Sequence, residues 1–245
     1  GVEVASNVEV VKNSDVVVLS VPIDNFENVV KEISPHIRPE QVIVDITSVK
    51  VLPIEIMHRH IQKGLVLGIH PMFGPGAKDV RNQNFVLTPT NEKEEDLAQK
   101  AKEYLETKGA QAFFMSPQEH DEMMAIILGL SHFIAIASAD TLLSLDKFKE
   151  TKAISGVTYK VLLTLAESVI SEDPELYASL QMSLPDMAEI EARFQKTVRT
   201  WADLVKNKDR QKFVDRMKSL KSRFEKDDPD FGKSYLSIYR FLAGL

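Results

Sequence analysis

His70 is the residue of this chain whose type and surroundings are best suited to chemistry. It opens the run His-Pro-Met-Phe-Gly-Pro at residues 70–75, directly after the apolar segment 65–69. The apolar segment predicts a short buried strand, and the prolines and glycine of the run predict a turn before any helix can begin. The imidazole is therefore expected at the carboxyl end of a strand, where ligands bind in α/β sheets. A histidine there suits proton transfer near neutral pH, although a His-Pro pair can also simply hydrogen-bond to its own loop.

Three further polar segments could carry chemistry, and the first of them follows the preceding strand and can converge on that imidazole. Ser48 follows the predicted strand 41–46 and so also lies at a carboxyl strand end, although a serine there is more often a helix cap or turn residue. His120 and Asp121 fall in the first turn of a predicted helix, where the positive end of the helix dipole alone could explain the aspartate. His132 lies among apolar residues of a helix and, taken alone, is more typical of a core histidine.

The first half of the chain alternates between strand and helix patterns. The predicted strands are 15–21, 41–46, 65–69, 85–88 and 110–115. The predicted helices are one capped by Asp24 or Asn25 and ended by Pro35, one at 53–62 and one at 92–108. The first strand is apolar at consecutive positions, as a parallel strand covered on both faces must be. This alternation indicates an α/β fold with a largely parallel sheet.

A capping box at residues 116–119 predicts the start of a long helix. It also marks the point at which the alternation of strands and helices ends. Strand patterns stop at this point, and helical spacing continues through the rest of the chain. We therefore predict two domains, 1–115 and 116–245, the second of them all-helical. The apolar run 125–143 contains polar side chains, which favours a buried helix over a membrane span. Because so small a helical domain can hardly cover this helix, a homodimer formed through the helical domain is expected.

Composition narrows the partners and the compartment. Thirty-six acidic and 30 basic residues give a formal charge of −6, which argues against nucleic-acid binding because phosphates require clustered positive charge. The chain has no cysteine, which excludes disulfides, thiolate metal ligands and a cysteine nucleophile, and is compatible with a reducing cytoplasm. A small-molecule partner, no metal, no membrane association and a cytoplasmic location are therefore expected.

The chain resembles the prephenate dehydrogenase family in the same order along nearly its whole length. The matching segments are 18–23, 47–50, 67–75, 119–121, 131–133 and 173–177. The resemblance implies a partial Rossmann-like domain with a parallel sheet, followed by an all-α dimerisation domain. It also implies an NAD- or NADP-dependent oxidative decarboxylation of prephenate to 4-hydroxyphenylpyruvate in tyrosine biosynthesis. Arogenate is a rival substrate that the sequence does not separate from prephenate.

The resemblance assigns roles to single residues. His70 is expected to be the base that draws the proton from the ring hydroxyl of the substrate, and Ser48 to orient His70 or contact the nicotinamide. His132 is expected to face the substrate from the helical domain. The residues expected to border the cofactor are Val21, Pro22, Thr47 and Ser48.

Two departures from the family pattern limit these expectations. No Gly-rich phosphate-binding turn follows a strand in this chain, so we expect an N-terminal part of the nucleotide-binding domain to be missing and the chain as it stands to be inactive, with poor or no NAD(P) binding. Ser168 stands where the family usually has a carboxylate-binding arginine, and Lys160 could supply the charge or be a solvated surface lysine. A catalytically silent dimeric homologue that acts as a ligand-binding or regulatory module is therefore the alternative.

Overall fold

The computed structural model describes residues 2–243, in which strands and helices are followed by helices alone. The strands are β1 (Val16–Leu19), β2 (Val42–Asp45), β3 (Leu65–Pro71), β4 (Asn84–Leu87) and β5 (Gln111–Phe114). The helices of the first half are α1 (Asn7–Asn13), α2 (Ile23–Ile33), α3 (Val51–His60) and α4 (Glu92–Thr107). Those that follow are α5 (Pro117–Met124), α6 (Ser131–Ser144), α7 (Phe148–Ala153), α8 (Val157–Ile170), α9 (Pro174–Ser183), α10 (Met187–Lys206), α11 (Arg210–Asp227) and α12 (Ser234–Ala243). A π-helical turn, Ala125–Leu130, joins α5 to α6, and 3₁₀ turns lie at Ser34–His36 and Phe231–Lys233.

The five strands form one sheet in the order β1-β2-β3-β4-β5. The pairs β1–β2, β2–β3 and β4–β5 are parallel, which confirms the largely parallel sheet. The pair β3–β4 is antiparallel, with His70 opposite Val86, because residues 72–83 contain no crossover helix, which a parallel pairing would need. His70 and Pro71 therefore belong to the end of β3, whereas the sequence placed them in the loop that follows it.

Helices cover the two faces of the sheet unequally. On one face α1, α2 and α3 pack over β1 to β3, and Phe26 and Met57 are fully buried there. On the other face α4 packs over β3 to β5. Val16 and Val18 of β1 lie on this second face beyond the reach of α4 and are 55% and 54% exposed. The expectation that the first strand is covered on both faces is therefore wrong.

Asp24 does not cap α2 as predicted. The helix begins at Ile23 with Pro22 as its N-cap residue, and no side chain caps it, so the alternative cap by Asn25 is wrong as well. The Asp24 carboxylate instead accepts a hydrogen bond from the hydroxyl of Ser179 in α9. This contact is between segments that are far apart in the sequence, and no local pattern could have predicted it.

A capping box begins both α5 and α1. The predicted box at residues 116–119 is confirmed: Glu119 accepts from the Ser116 N–H at 2.9 Å and returns its own N–H to the serine hydroxyl at 3.2 Å. The second box pairs Ser6 with Glu9 at the start of α1. No helix was predicted there from the sequence, although this serine–glutamate spacing is the same signal.

The chain divides into two compact units, residues 1–129 with 175–185, and residues 130–174 with 186–245. Helix α9 belongs to the first unit from Glu175 onward, and there the Gln181 side chain donates to the Gly129 carbonyl of the π-helical turn at 2.9 Å. In the second unit α6 packs on α8, α8 on α12 and α10 on α11. The continuous helical stretch Pro117–Ser144 is long and apolar enough to cross a membrane by length and composition alone, a property shared by many core helices, and its most apolar window is 11% buried by the chain itself.

Candidate active site

His70 is the next-to-last residue of β3 and is only 5% exposed. Its Nδ1 lies 2.8 Å from Nε2 of His120, and the two rings meet edge to face with centroids 5.0 Å apart. Burial first, and then the neighbouring His120 and Lys50, lower the pKa of His70 to about 3. The His70 ring is therefore neutral near pH 7 and can accept a hydrogen bond or a proton.

Asp121 connects this pair of histidines to the start of α3. The fully buried His120 places Nδ1 2.7 Å from Oδ1 of Asp121. The two carboxylate oxygens accept the backbone N–H groups of Lys50 and Val51, at 2.7 and 2.9 Å. Because the N-cap residue of α3 makes no side-chain cap, Asp121 satisfies the first N–H groups of that helix. Asp121 thus serves a different helix from its own, and the sequence-based explanation through its own helix dipole is incomplete.

Lys50 and Asp45 form an ion pair at the turn between β2 and α3, and neither side chain is exposed to solvent. Burial lowers the pKa of Lys50, and the carboxylates of Asp45 and Asp121 oppose that shift. Gly68 of β3 leaves room for the lysine stem: a Cβ at this position would lie 3.1 Å from Lys50 Cδ and 2.5 Å from Thr88 Oγ1. A glycine on the neighbouring strand therefore makes the buried ion pair sterically possible.

We call Asp45, Lys50, His70, His120 and Asp121 the carboxyl-end cluster, because β2 and β3 end there. Of its members, only His70 was assigned a catalytic role from the sequence, although His120 and Asp121 were among the residues that could carry chemistry. The missed signal was Lys50, a charged residue between Val49 and Val51 in the turn that follows a strand ending in Asp45.

The residues expected to border a cofactor lie at the carboxyl ends of β1 and β2. Thr47 and Ser48 are half-buried in the turn after β2. The Thr47 N–H donates to Asp45 Oδ1 at 2.8 Å and its hydroxyl donates to the Val49 carbonyl at 2.9 Å. After β1, Val21 is partly buried against the core and Pro22 is exposed. The structure thus places these residues at the same sheet edge as His70.

His132, Lys160 and Ser168 belong to the second compact unit. His132 is half-buried on α6, where burial lowers its pKa and Glu172 opposes the shift. Lys160 and Ser168 are exposed on α8. The Ser168 hydroxyl donates to the Leu165 carbonyl of its own helix at 2.9 Å, so it already has an acceptor within its own helix.

An NAD-type cofactor is compatible with the residues at this edge for its nicotinamide end only. Val21, Pro22 and Ser48 are partly exposed and carry no charge, so they can border a flat nicotinamide ring. A Gly-rich turn after a strand, which seats the pyrophosphate, does not occur in this sequence. Among the described residues, no group of three or more His, Cys, Asp or Glu side chains is arranged to hold a metal ion.

A sheet with helices on both faces, polar side chains at its carboxyl edge and a following helical region defines an α/β protein whose ligands are expected at that edge, with a helical extension. The comparisons identify the family. Residues 1–114 match the family model of the prephenate dehydrogenase nucleotide-binding domain, and residues 116–219 match that of the prephenate dehydrogenase dimerization domain. The chain belongs to the prephenate dehydrogenase family.

Individual relatives agree with this assignment. A probable arogenate/prephenate dehydrogenase of Methanocaldococcus jannaschii is 36% identical over 228 residues, which are 91% of this chain and 51% of that protein. The crystal structure of prephenate dehydrogenase from Aquifex aeolicus aligns with a TM-score of 0.74 at 21% identity, covering 91% of this chain and 81% of the other. The structure of the A. aeolicus enzyme with hydroxyphenyl propionate and NAD⁺ gives a TM-score of 0.70 at 23% identity, covering 90% and 80%. These solved structures show the same fold, and the chain spans about half the length of the curated relatives it matches.

Proposed function

We propose that the protein containing this chain catalyses the NAD- or NADP-dependent oxidative decarboxylation of prephenate, with arogenate as the rival substrate. The observation that carries the proposal is the neutral His70 ring at the carboxyl end of β3, held through Nδ1 by a buried histidine. Relatives with both substrate names support the class of reaction, because the M. jannaschii protein is named for arogenate and prephenate together.

His70 acts on the ring hydroxyl of the substrate in this proposal. Its Nε2 accepts the hydroxyl proton as the hydrogen on the same carbon leaves with its electron pair, and loss of the ring carboxylate as carbon dioxide makes the ring aromatic. A bound nicotinamide supplies the hydride acceptor. Since the product keeps the oxygen as a phenol, the proton held by His70 returns to that oxygen, and no net proton is consumed.

The remaining site residues have supporting roles in the proposal. Ser48 orients the imidazole or contacts the nicotinamide, and Val21, Pro22 and Thr47 border the cofactor. His132 contacts the substrate. Lys160 and Ser168 would face a substrate carboxylate, with the lysine as the charged partner because the serine hydroxyl is engaged by its own helix.

The proposal includes a cytoplasmic homodimer with a boundary between the domains at residues 115 and 116. The match of residues 116–219 to a dimerization domain supports the homodimer. The exposure of Ile126 and Ile127, at 54% and 49% within the chain, also supports it, because a second copy would remove these side chains from water.

The test compares His70→Gln with His36→Gln in the protein at its natural length, assayed with prephenate and arogenate and with both cofactors. His36 lies in the 3₁₀ turn before β2, at the opposite edge of the sheet. We expect the His70 variant to lose about 10²- to 10⁴-fold in turnover, as removal of a general base does, and the His36 variant to keep its activity. A loss below about tenfold would remove His70 from the role of base. A parent protein that folds and binds ligand but turns over neither substrate would favour the silent homologue.

A further inference from the structure

Asp121 has a fixed hydrogen-bonding role, because two of its partners are backbone N–H groups. Lys50 and Val51 can only donate from their backbone nitrogens, so both oxygens of Asp121 must accept. A carboxylate at the N-terminus of α3 is also favoured by the helix dipole. Asp121 is therefore ionised, and the ring nitrogen 2.7 Å from its Oδ1 must carry a proton. That nitrogen is Nδ1 of His120.

The proton positions along the rest of the chain of contacts follow from this assignment. A neutral His120 with its proton on Nδ1 has an acceptor at Nε2. His70 Nδ1 lies 2.8 Å from that acceptor and must donate to it. The neutral His70 ring then has its lone pair on Nε2. The tautomer of His70 is thus set by a carboxylate it does not touch.

We propose that His120 and Asp121 are positioning residues that hold His70 in the tautomer protonated at Nδ1 and so keep its Nε2 free to accept the proton of the substrate. The catalytic part of this inference rests on the proposed function. The tautomer itself does not, because it is defined in the absence of substrate.

Packing alone does not require this arrangement. His120 is fully buried and Asp121 is 4% exposed, and placing two rings and a carboxylate in the interior is costly unless every polar atom is paired. Apolar side chains could fill the same volume, whereas only an ordered donor–acceptor chain fixes which nitrogen of His70 is protonated. The arrangement specifies a proton position, which a hydrophobic core cannot do.

The same geometry predicts how acid inactivates the site. The ionisable groups facing the two histidines are Asp121 of α5 and Lys50 of the turn after β2, with Asp45 paired to that lysine. A proton taken up by the pair is stabilised beside Asp121, so it resides on His120. The doubly protonated His120 ring then donates from Nε2, His70 must accept at Nδ1, and its own proton moves to Nε2. His70 would then be neutral but unable to act as a base.

The first experiment reads the tautomer by ¹⁵N NMR of ring-labelled histidines in the protein at its natural length. Signals are assigned with His70→Gln. We expect the parent to show His70 with a protonated Nδ1 and an unprotonated Nε2. Asp121→Asn has one acceptor oxygen where the parent has two, so we expect the protonated nitrogen of His70 to change or the two tautomers to mix. His120→Gln keeps the carboxylate on α3 and should also release the tautomer. Glu94→Gln, which changes a buried carboxylate–histidine pair elsewhere, should leave it unchanged.

The second experiment measures the pH dependence of turnover in the same variants. In Asp121→Asn we expect kcat to fall about 10²-fold or more with KM little changed, by analogy with the loss of a correctly oriented base. The acid limb of the profile should also move to lower pH, because the protonated pair has lost its counter-charge. A folded Asp121→Asn protein with the parental tautomer, or with lower kcat and an unmoved acid limb, would overturn the positioning role. A parent without dehydrogenase activity would refute the proposed function and leave the tautomer measurement standing as a separate result.

Discussion

The two edges of the sheet each hold a histidine beside a buried carboxylate, and they use it differently. At the amino end of β3, the amino-end cluster consists of His58, Thr90 and Glu94. Glu94 accepts from the Thr90 N–H and hydroxyl at 2.8 and 2.7 Å and lies 2.6 Å from His58 Nε2. The side chain of His58 is 40% exposed, beside an open cavity of about 330 Å³. In the carboxyl-end cluster both histidines are buried.

The two clusters also differ in how far apart in the sequence their contacting residues lie, which distinguishes a local helix cap from an assembled functional site. Glu94 lies in the first turn of its own helix and bonds to residues four positions or fewer away apart from His58, so local sequence builds most of the amino-end cluster. Asp121 is 71 residues from Lys50, and His120 is 50 residues from His70. The carboxyl-end cluster therefore ties together three segments that the sheet must first bring to one edge, and its proton positions depend on that assembly.

We expect the largest difference between the two edges when one buried carboxylate at each edge is replaced by its amide and the loss of folding stability is compared. Asp45→Asn leaves the fully buried Lys50 ammonium without its counter-charge, and breaking such a pair costs about 3–5 kcal/mol. Glu94→Gln keeps a hydrogen-bond acceptor, and its partner His58 is partly exposed and can be hydrated. This substitution should therefore cost about 1 kcal/mol. Urea unfolding of both variants measures the difference.

The control for Asp45→Asn removes the unpaired lysine charge as well, so that no uncompensated charge stays buried. The double variant Asp45→Asn with Lys50→Met removes both charges, and we expect it to regain most of the stability lost by the single variant. Equal losses in Asp45→Asn and Glu94→Gln would show that burial of the ion pair does not distinguish the two edges.

Gly68→Ala tests the space that the carboxyl-end cluster needs. The new Cβ would lie 2.5 Å from Thr88 Oγ1 and 2.9 Å from Ile54 Cδ1, and both neighbours are buried. Overpacking of this kind costs about 1–3 kcal/mol, read as a lower melting temperature. Gly74→Ala is the matched control, since a Cβ there meets no atom within 4 Å. A stability unchanged in both variants would mean that the strand can shift to make room.

The part of this site that sequence could predict is the part built locally. The apolar run 65–69 followed by His70 and Pro71 placed the imidazole at a strand's carboxyl end, and the capping box at 116–119 placed the start of α5. Both signals lie within a few residues of the feature that they predict. The alternation of strands and helices could be predicted for the same reason, because each element is indicated by its own local pattern.

The contacts that complete the site could not be predicted in this way. Nothing near His120 indicates that its partner lies 50 residues earlier, and nothing near Asp121 indicates that it caps α3. Lys50 follows a strand and would be expected at the surface, as lysine usually is. Its burial depends on Gly68 of the neighbouring strand, and register between strands is a property of the assembled sheet.

The pH dependence of the unfolding free energy should also reflect the burial of His70 at the carboxyl edge, and this effect is smaller than the preceding ones. In the unfolded chain a histidine takes up its proton near its ordinary pKa of 6.5, whereas folded His70 has its pKa lowered to about 3. Between these values the unfolded state binds more protons, so stability falls as the pH falls. For this one group the loss from about pH 7.5 to about pH 5.5 is about 1.4 kcal/mol. The stability difference between the parent and His70→Gln, measured by urea unfolding across this pH interval, reports the loss together with any change at the neighbouring His120. A difference that does not change with pH would show that folded His70 titrates normally.

His58→Gln should have the smallest effect and completes the comparison. The imidazole is partly exposed and its partner Glu94 keeps both hydrogen bonds from Thr90, so the remaining acceptor oxygen can be hydrated or bonded by the glutamine amide. We expect a loss of about 0.5 kcal/mol or less, typical of a surface pair, and unchanged turnover in the protein at its natural length. His120→Gln is the corresponding change at the carboxyl edge, and there we expect turnover to fall even where stability is kept. If the two substitutions reduced turnover equally, the amino-end cluster would have to be part of the catalytic apparatus. The structural distinction between a cap and a site would then be lost.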